Sequence, residues 1–164
     1  MSESAAEQRI RFWNERYAAD PAVYGEAPNA FLVAVRARLP ATGRAFVPGD
    51  GQGRNGLFLA REGFSVVSVD LSETAAAAAR ARAEAEGLPL DARVGDLRNA
   101  SIEDGAFDVV AAIYLHFVPE LRARLHRRFA DALRPGGFLV IEAFSPDHLP
   151  FRAKYGSGGP DRAD

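Results

Sequence analysis

Cysteine is absent from the 164 residues. That removes disulfides, thiolate zinc sites, thiol nucleophiles and cysteine-ligated iron–sulfur clusters together. Neither charge sign dominates: the formal net charge is -2 and the sequence pI about 5.9, so no global field draws the chain to nucleic acid or anionic lipid. No apolar run approaches the ~18 residues that suggest a membrane span. The start, Met1 to Gln8, carries acids and lacks the apolar stretch of a secretory signal. The three histidines, His116, His126 and His148, are too scattered to argue for a metal. No internal repeat or low-complexity linker is visible. What remains is the expectation of one cytoplasmic domain with no nucleic-acid or membrane partner, built from a chain that is 48% hydrophobic.

From Ala45 onward, short apolar runs alternate with helical patterns, which predicts βαβ units and a parallel sheet. The expected strands are Ala45–Pro48, Phe64–Asp70, Asp91–Val94, Phe107–Ile113 and Phe138–Phe144. Between them the pattern predicts helices at Leu57–Arg61, at Glu73–Glu86 with Ser72 as N-cap, and from Pro119 to Leu133. Leu121, Leu125, Phe129 and Leu133 recur along one face of the last of these. Gly63 and Gly87 end the first two, and Arg134 to Gly137 form a turn. Before the sheet lie an aromatic-rich segment, Phe12 to Tyr24, and a helix from about Asn29 to Leu39. The expected organisation is a helical cap over 1–40, a nucleotide-binding core over 41–144 and a loop or tail over 145–164.

Gly51-Gln52-Gly53-Arg54-Asn55-Gly56 satisfies G-x-G-x-x-G, follows a strand and opens a helix. Dinucleotide oxidoreductases and methyltransferases share this pattern, so charge has to separate them. A dinucleotide sets its pyrophosphate over the helix N-terminus. Asp50 immediately precedes the first glycine and would repel those phosphates by ~4 kcal/mol at 4 Å in an effective dielectric of ~20. S-adenosylmethionine carries no phosphate but an α-ammonium and a sulfonium, so an acid here suits the methyl donor. The competing reading of Asp50 is a side chain that caps the loop's own N–H groups. Asp70 ends the second strand at the offset expected of an acid that accepts ribose hydroxyls. Asp96, after the third strand, is placed to accept from an adenine amino group, with the Leu97 backbone N–H facing the ring. Three acids close three successive strands on the side where such sheets bind ligands.

With these residues in view, the run Gly49–Ala60 followed by Gly63–Asp70 resembles class I methyltransferases. Within them it is most similar to the small bacterial group related to tellurite-resistance methyltransferases. The Arg134-Pro135-Gly136-Gly137 turn, the front segment Trp13–Tyr17 with Tyr24-Gly25 and Pro28-Asn29, and the late run Tyr155–Pro160 carry the same resemblance. It implies a Rossmann-like, doubly wound parallel sheet in a three-layer αβα arrangement, with S-adenosyl-L-methionine across the strand ends. The donor contacts it implies are Asp50, Gly51, Gly53, Arg54, Asn55, Asp70, Leu71, Asp96, Leu97 and Tyr24. It further implies N-terminal aromatics closing over donor and acceptor, although core packing accounts equally well for Trp13 and Tyr17. A small-molecule acceptor is implied, such as a metalloid oxyanion, a thiol or another soft nucleophile.

The superfamily normally has seven strands, the last two following another helix. At ~5–6 residues per strand and ~11–12 per helix, the stretch after Phe144 is too short for them. The sequence therefore predicts a sheet lacking the last two strands, with the fifth as an apolar edge that invites self-association into a homo-oligomer. Methyl transfer from a sulfonium requires alignment of the acceptor, and a base only where a proton must leave. His116 and Tyr114, just past the fourth strand, are the candidate base and orienting group; a histidine bracing the loop before the next helix is an equal reading of His116. Two rivals stand beside the enzyme: a donor-binding module without catalysis, and an NAD-dependent oxidoreductase, which Asp50 disfavours.

Overall fold

The computed structural model describes residues 3–145 and 147–155. Helix α1, Ala5–Ala19, opens on a capping box in which Ser4 and Glu7 bond reciprocally. The helix expected over 29–39 is two pieces: α2, Ala30–Val35, and a single 3-10 turn, Arg36–Arg38. Asn29 caps α2 by accepting from the Leu32 N–H at 2.9 Å. Strand β1, Gly43–Pro48, begins two residues before its apolar run because Gly43 and Arg44 pair with Phe64 and Ser65. The glycine loop leads into α3, Arg54–Arg61. Strand β2, Phe64–Asp70, and helix α4, Glu73–Glu86, have the expected bounds. Ser72 caps α4 at Ala75, and Gly87 closes it at φ 63°.

Strand β3, Leu90–Val94, strand β4, Phe107–Ile113, and helix α5, Pro119–Asp131, complete the alternation before β5, Leu133–Glu142. All neighbouring strands are parallel, in the order β3-β2-β1-β4-β5. This is the doubly wound five-stranded sheet that the sequence predicts. The start of β5 differs from expectation. Leu133 already pairs with Phe107, and the register then jumps so that Phe138 meets Val109. The Arg134–Gly137 turn is thus an excursion inside the strand. The Arg134 guanidinium anchors it on the Asp108 carboxylate at 3.0 Å. The segment after β5, read as a loop, carries helix α6, His148–Tyr155. The end of the late run, 156–160, lies outside the described residues.

The central strands β1, β2 and β4 are buried on both faces, as the interior of a parallel sheet requires. On one face Ala45, Val47, Val66, Val109 and Ala111 meet Leu32 of α2 and Leu59 and Ala60 of α3. On the other, Phe46, Val67, Val69, Val110 and Ala112 meet Leu125 and Phe129 of α5. Helix α4 buries Ala75, Ala76, Ala79 and Ala83 along one stripe, and these small side chains let it lie close to β2, β3 and α3. Helix α1 lies on α4, where Asn14 accepts from the Ser72 hydroxyl at 2.7 Å and from the Thr74 N–H at 3.3 Å. Among the described residues no helix is long and apolar enough to cross a membrane.

Candidate functional site

The C-terminal ends of β1, β2 and β3 lie side by side. Gly49 donates to the Val69 carbonyl and Gly95 to the Asp70 carbonyl, each at 2.8 Å. This alignment gathers the glycine loop, Asp70 and Asp96 at one edge of the sheet. The loop turns through left-handed conformations at Gly49, Gly51 and Gly53. Two of these glycines answer to contact as well as dihedral angle. A Cβ at Gly53 would sit 2.8 Å from the Ala79 Cβ, so this glycine sets the approach of α3 to α4. A Cβ at Gly51 would sit 2.6 Å from the Tyr17 hydroxyl, which places the Tyr17 ring directly over the loop.

Asp70 joins the loop to the second strand. One carboxylate oxygen accepts from the Gly51 N–H at 2.8 Å and the other from the Ser72 N–H at 2.9 Å. The Leu71 N–H also bears on this carboxylate, which still has acceptor capacity for a further donor. Burial raises the Asp70 carboxyl above its ordinary value, against the pull of those N–H groups. Asp50 is buried at 7% exposure and accepts from the Gly56 N–H at 3.1 Å, which is the capping geometry weighed for it as an alternative. Burial pushes its carboxyl up to about 7, opposed by the Gly56 N–H and reinforced by the neighbouring charge of Asp70. Tyr17 is also raised, by burial and by the charge of Asp70.

The other expected donor contacts divide. Arg54 reaches away from the loop to the Tyr24 and Ala27 carbonyls, at 2.9 and 3.5 Å. The buried Asn55 accepts from the Asn29 N–H at 2.9 Å. Both therefore fasten the segment before α2 onto the glycine-loop helix. Gln52 does the same for the end of α1, donating to the Asp20 carbonyl at 2.9 Å. Tyr24 accepts from Arg16 at 3.2 Å, and its ring meets Tyr17 edge-on. Asp96 pairs with Arg98, which holds its carboxyl below the ordinary value. The Leu97 side chain belongs to the core, while Leu71 is half-buried beside Asp70.

At the ends of β4 and β5 the candidate acceptor groups come together. Tyr114 donates its hydroxyl to Glu142 at 3.2 Å and lies against Phe144, with ring centroids 4.8 Å apart. The His116 ring stacks on the same Phe144 at 5.5 Å. Tyr17 is open to two readings in sequence, and Glu142 and Phe144 lie outside the candidates the sequence offers. The one signal for Glu142 was its standing as the lone acid in an apolar strand. Among the described residues no group of acids and histidines is arranged to hold a metal ion.

The glycine-loop edge has a clear charge preference. Among the described residues neither Asp50 nor Asp70 forms an ion pair, although Asp50 is buried and Asp70 half-buried. Acids without an ion-pair partner beside a glycine loop fit a ligand with cationic centres and hydroxyl donors, which favours their charged form, whereas a pyrophosphate opposes it. S-adenosylmethionine meets that requirement.

Comparison with known proteins agrees. The family described as a methyltransferase domain matches residues 48–137, more than half of the chain. "Hemagglutinin 1" of Eikenella corrodens is 37% identical over 63% of this chain and 36% of its own length. "Probable S-adenosyl-L-methionine-dependent methyltransferase TehB" of Haemophilus influenzae is 27% identical over 62% of this chain and 36% of its own. Among solved structures, an S-adenosylmethionine dependent methyltransferase from Mesorhizobium loti is 31% identical over 74% of this chain and 56% of that one, with a TM-score of 0.64. The chain thus spans only about a third of the length of the curated relatives it matches. The glycine loop, the sheet order and the acids at the strand ends all fall inside the matched span or beside it, and the chain belongs to the methyltransferase-domain family, within the class I S-adenosylmethionine-dependent methyltransferases.

Proposed function

We propose that this chain transfers a methyl group from S-adenosylmethionine to a small-molecule acceptor by in-line displacement. The observation that carries the reading is the pair of acids without an ion-pair partner, Asp50 and Asp70, on a glycine loop roofed by Tyr17. When bound, the donor supplies an electrophilic methyl carbon on a sulfonium. Asp70 holds the ribose hydroxyls through the acceptor capacity left by the Gly51, Leu71 and Ser72 N–H groups. Asp50, with Gly51 and Gly53, lines the amino-acid end. Leu71, Asp96 and the Leu97 backbone flank the adenine. Arg54, Asn55 and Tyr24 act at one remove, by holding the cap of residues 1–40 against the loop. Tyr17 excludes water above the loop. Tyr114 orients the acceptor, and His116 takes its proton where one must leave.

The test is thermal melting with S-adenosylmethionine, S-adenosylhomocysteine and NAD titrated separately. A ligand at 100 times its dissociation constant adds ~2.7 kcal/mol, a rise of roughly 5–11 °C for a domain of this size. The expected result is a rise with either sulfur ligand and none with NAD; a rise with NAD alone overturns the reading. Donor binding without turnover on any acceptor would leave the non-catalytic module in its place.

Self-association through β5 belongs to the same proposal. Phe138, Leu139 and Ile141 remain 37–39% exposed on a strand that among the described residues is paired to β4 alone. Such an edge offers both apolar side chains and unpaired backbone to a second copy of the chain. Light scattering at high concentration is expected to show a dimer or larger species, and a monodisperse monomer overturns it.

A further inference from the structure

The polar cluster at the ends of β4 and β5 is more tightly built than a solvent-exposed loop needs. Tyr114 follows β4 at φ 51°, the one non-glycine residue with positive φ among the described residues. A bulky residue holds that conformation only where its surroundings over-determine it. Here its N–H donates to the Glu142 carbonyl at 2.7 Å and its hydroxyl to Glu142 Oε1. The other carboxylate oxygen, Oε2, accepts from Asn29 Nδ2 at 2.5 Å. Asn29 is buried and bonded at every turn: it caps α2 and donates its own N–H to Asn55 at the start of α3. Glu142 is therefore fixed on both oxygens and tied through Asn29 and Asn55 to the helix that the glycine loop opens.

Aromatic rings gather around Tyr114, whose hydroxyl is bonded to this carboxylate. Phe144 contacts Tyr114 and His116, and its ring centroid is 4.0 Å from that of His148. The cation whose field reaches Tyr114 is Arg54, and its guanidinium is already given to the Tyr24 and Ala27 carbonyls. Among the described residues no ion pair neutralises Glu142. A fixed carboxylate bonded into a group of aromatic rings is an environment for positive charge.

We propose that the acceptor is an amine, and that Glu142 with the Tyr114 and Phe144 rings is the element that recognises it. This rests on the methyltransferase reading above and gives it a substrate class. In the transfer, the lone pair of a neutral amine forms the new nitrogen–carbon bond. The carbon–sulfur bond breaks and its electron pair stays on sulfur as a neutral thioether. The amine gives up the proton of its ammonium form to solvent before the attack; the positive charge then returns to nitrogen with the methyl group, and the product leaves as a methylammonium. Charge therefore grows on the acceptor in the transition state, beside Glu142, where the carboxylate stabilises it more than it stabilises the neutral amine. A thiolate or metalloid oxyanion runs the other way. It enters negative beside Glu142, Asp50 and Asp70, and its charge is cancelled as the bond forms, so the same carboxylate opposes its entry and gives nothing at the transition state.

The experiment uses the full chain saturated with S-adenosylhomocysteine and an isosteric probe series: phenethylamine, phenethyl alcohol, phenethyl thiol and phenylacetate, with tellurite as the oxyanion. Binding is read by calorimetry. The expected result is that phenethylamine binds best, by about tenfold or more over the alcohol, a difference worth one decade of affinity. Glu142→Gln keeps the shape and can still accept from Asn29; it is expected to erase that preference while S-adenosylhomocysteine binds as before. Phe144→Leu is expected to weaken the amine alone, which keeps the test independent of any one variant. Equal binding across the series, preference for the thiol or an anion, or an undiminished amine preference in Glu142→Gln overturns the proposal. Unchanged S-adenosylhomocysteine binding in those cases leaves the donor reading standing; loss of that binding in the unsubstituted chain fails the donor reading itself.

Discussion

Replacing Asp70 by alanine is expected to abolish the thermal response to S-adenosylhomocysteine. The carboxylate is proposed to accept two ribose hydroxyls, and hydrogen bonds to a charged group are worth about 1.5–3 kcal/mol each. Losing both weakens binding by two orders of magnitude or more, on the scale of one decade per ~1.4 kcal/mol. Alanine also strips the Gly51 and Ser72 N–H groups of their acceptor. The ligand-free protein should therefore melt lower as well. Asp70→Asn separates the two effects. The amide oxygen still serves one of the loop N–H groups, so the fold is largely kept, while the charge and one acceptor are gone. Calorimetric titration of Asp70→Asn should show binding weakened by about tenfold or more. Affinity within twofold of the unsubstituted chain would remove Asp70 from the donor site, whatever the alanine variant does to stability.

The parts of this fold legible in the sequence are those where one local signal settles both ends of an element. β2 is a run of apolar and β-branched residues between Gly63 and Asp70, and α4 lies between a serine cap and Gly87; both have the expected bounds. β4 was equally plain because its residues are buried on both faces. β5 starts at Leu133 rather than at the expected Phe138, because Arg134–Gly137 carries every mark of a turn. Only the pairing of Leu133 with Phe107, across a register jump, makes the residues before it part of the strand. Pairing partners are tertiary facts, and no periodicity encodes them.

The site divides along the same line. The strand–loop–helix pattern fixes where Asp50, Gly51 and Asp70 stand, and the structure gathers them at the glycine loop. Arg54 and Asn55 lie in the same motif, and the structure turns them toward Tyr24, Ala27 and Asn29 instead. A motif constrains the backbone of its variable positions and leaves their side chains to whatever packs against them. The bond from Asn29 to Glu142 spans 113 residues. Nothing local to either residue announces the other, so the place of Glu142 beside Tyr114 is visible only with the cap in place.

Asp50 gives the second large effect, through pH. An unfolded aspartate titrates near ~3.9, and burial pushes the folded Asp50 carboxyl up to about 7. Between those values the folded chain holds a proton that the unfolded chain has released. By linkage, stability must fall as pH rises across that window. The contribution is fully present below about pH 4 and is lost by the time pH has passed about 7, where the folded state must carry a buried charge. Three pH units at ~1.4 kcal/mol each amount to about 4 kcal/mol. Asp50→Asn is neutral throughout, and its amide oxygen can still accept from Gly56. The variant is therefore expected to match the unsubstituted chain near pH 4 and to be more stable at pH 8 by about 2–4 kcal/mol, which raises Tm by several degrees at this chain length. Melting curves from pH 4 to 8 read the difference directly. A donor with an ammonium and a sulfonium restores the charged form, so S-adenosylmethionine should narrow the gap at pH 8. Parallel pH profiles for the two proteins would mean that Asp50 titrates as an ordinary carboxylate, and would take from the glycine loop its claim to a buried acid waiting for a cation.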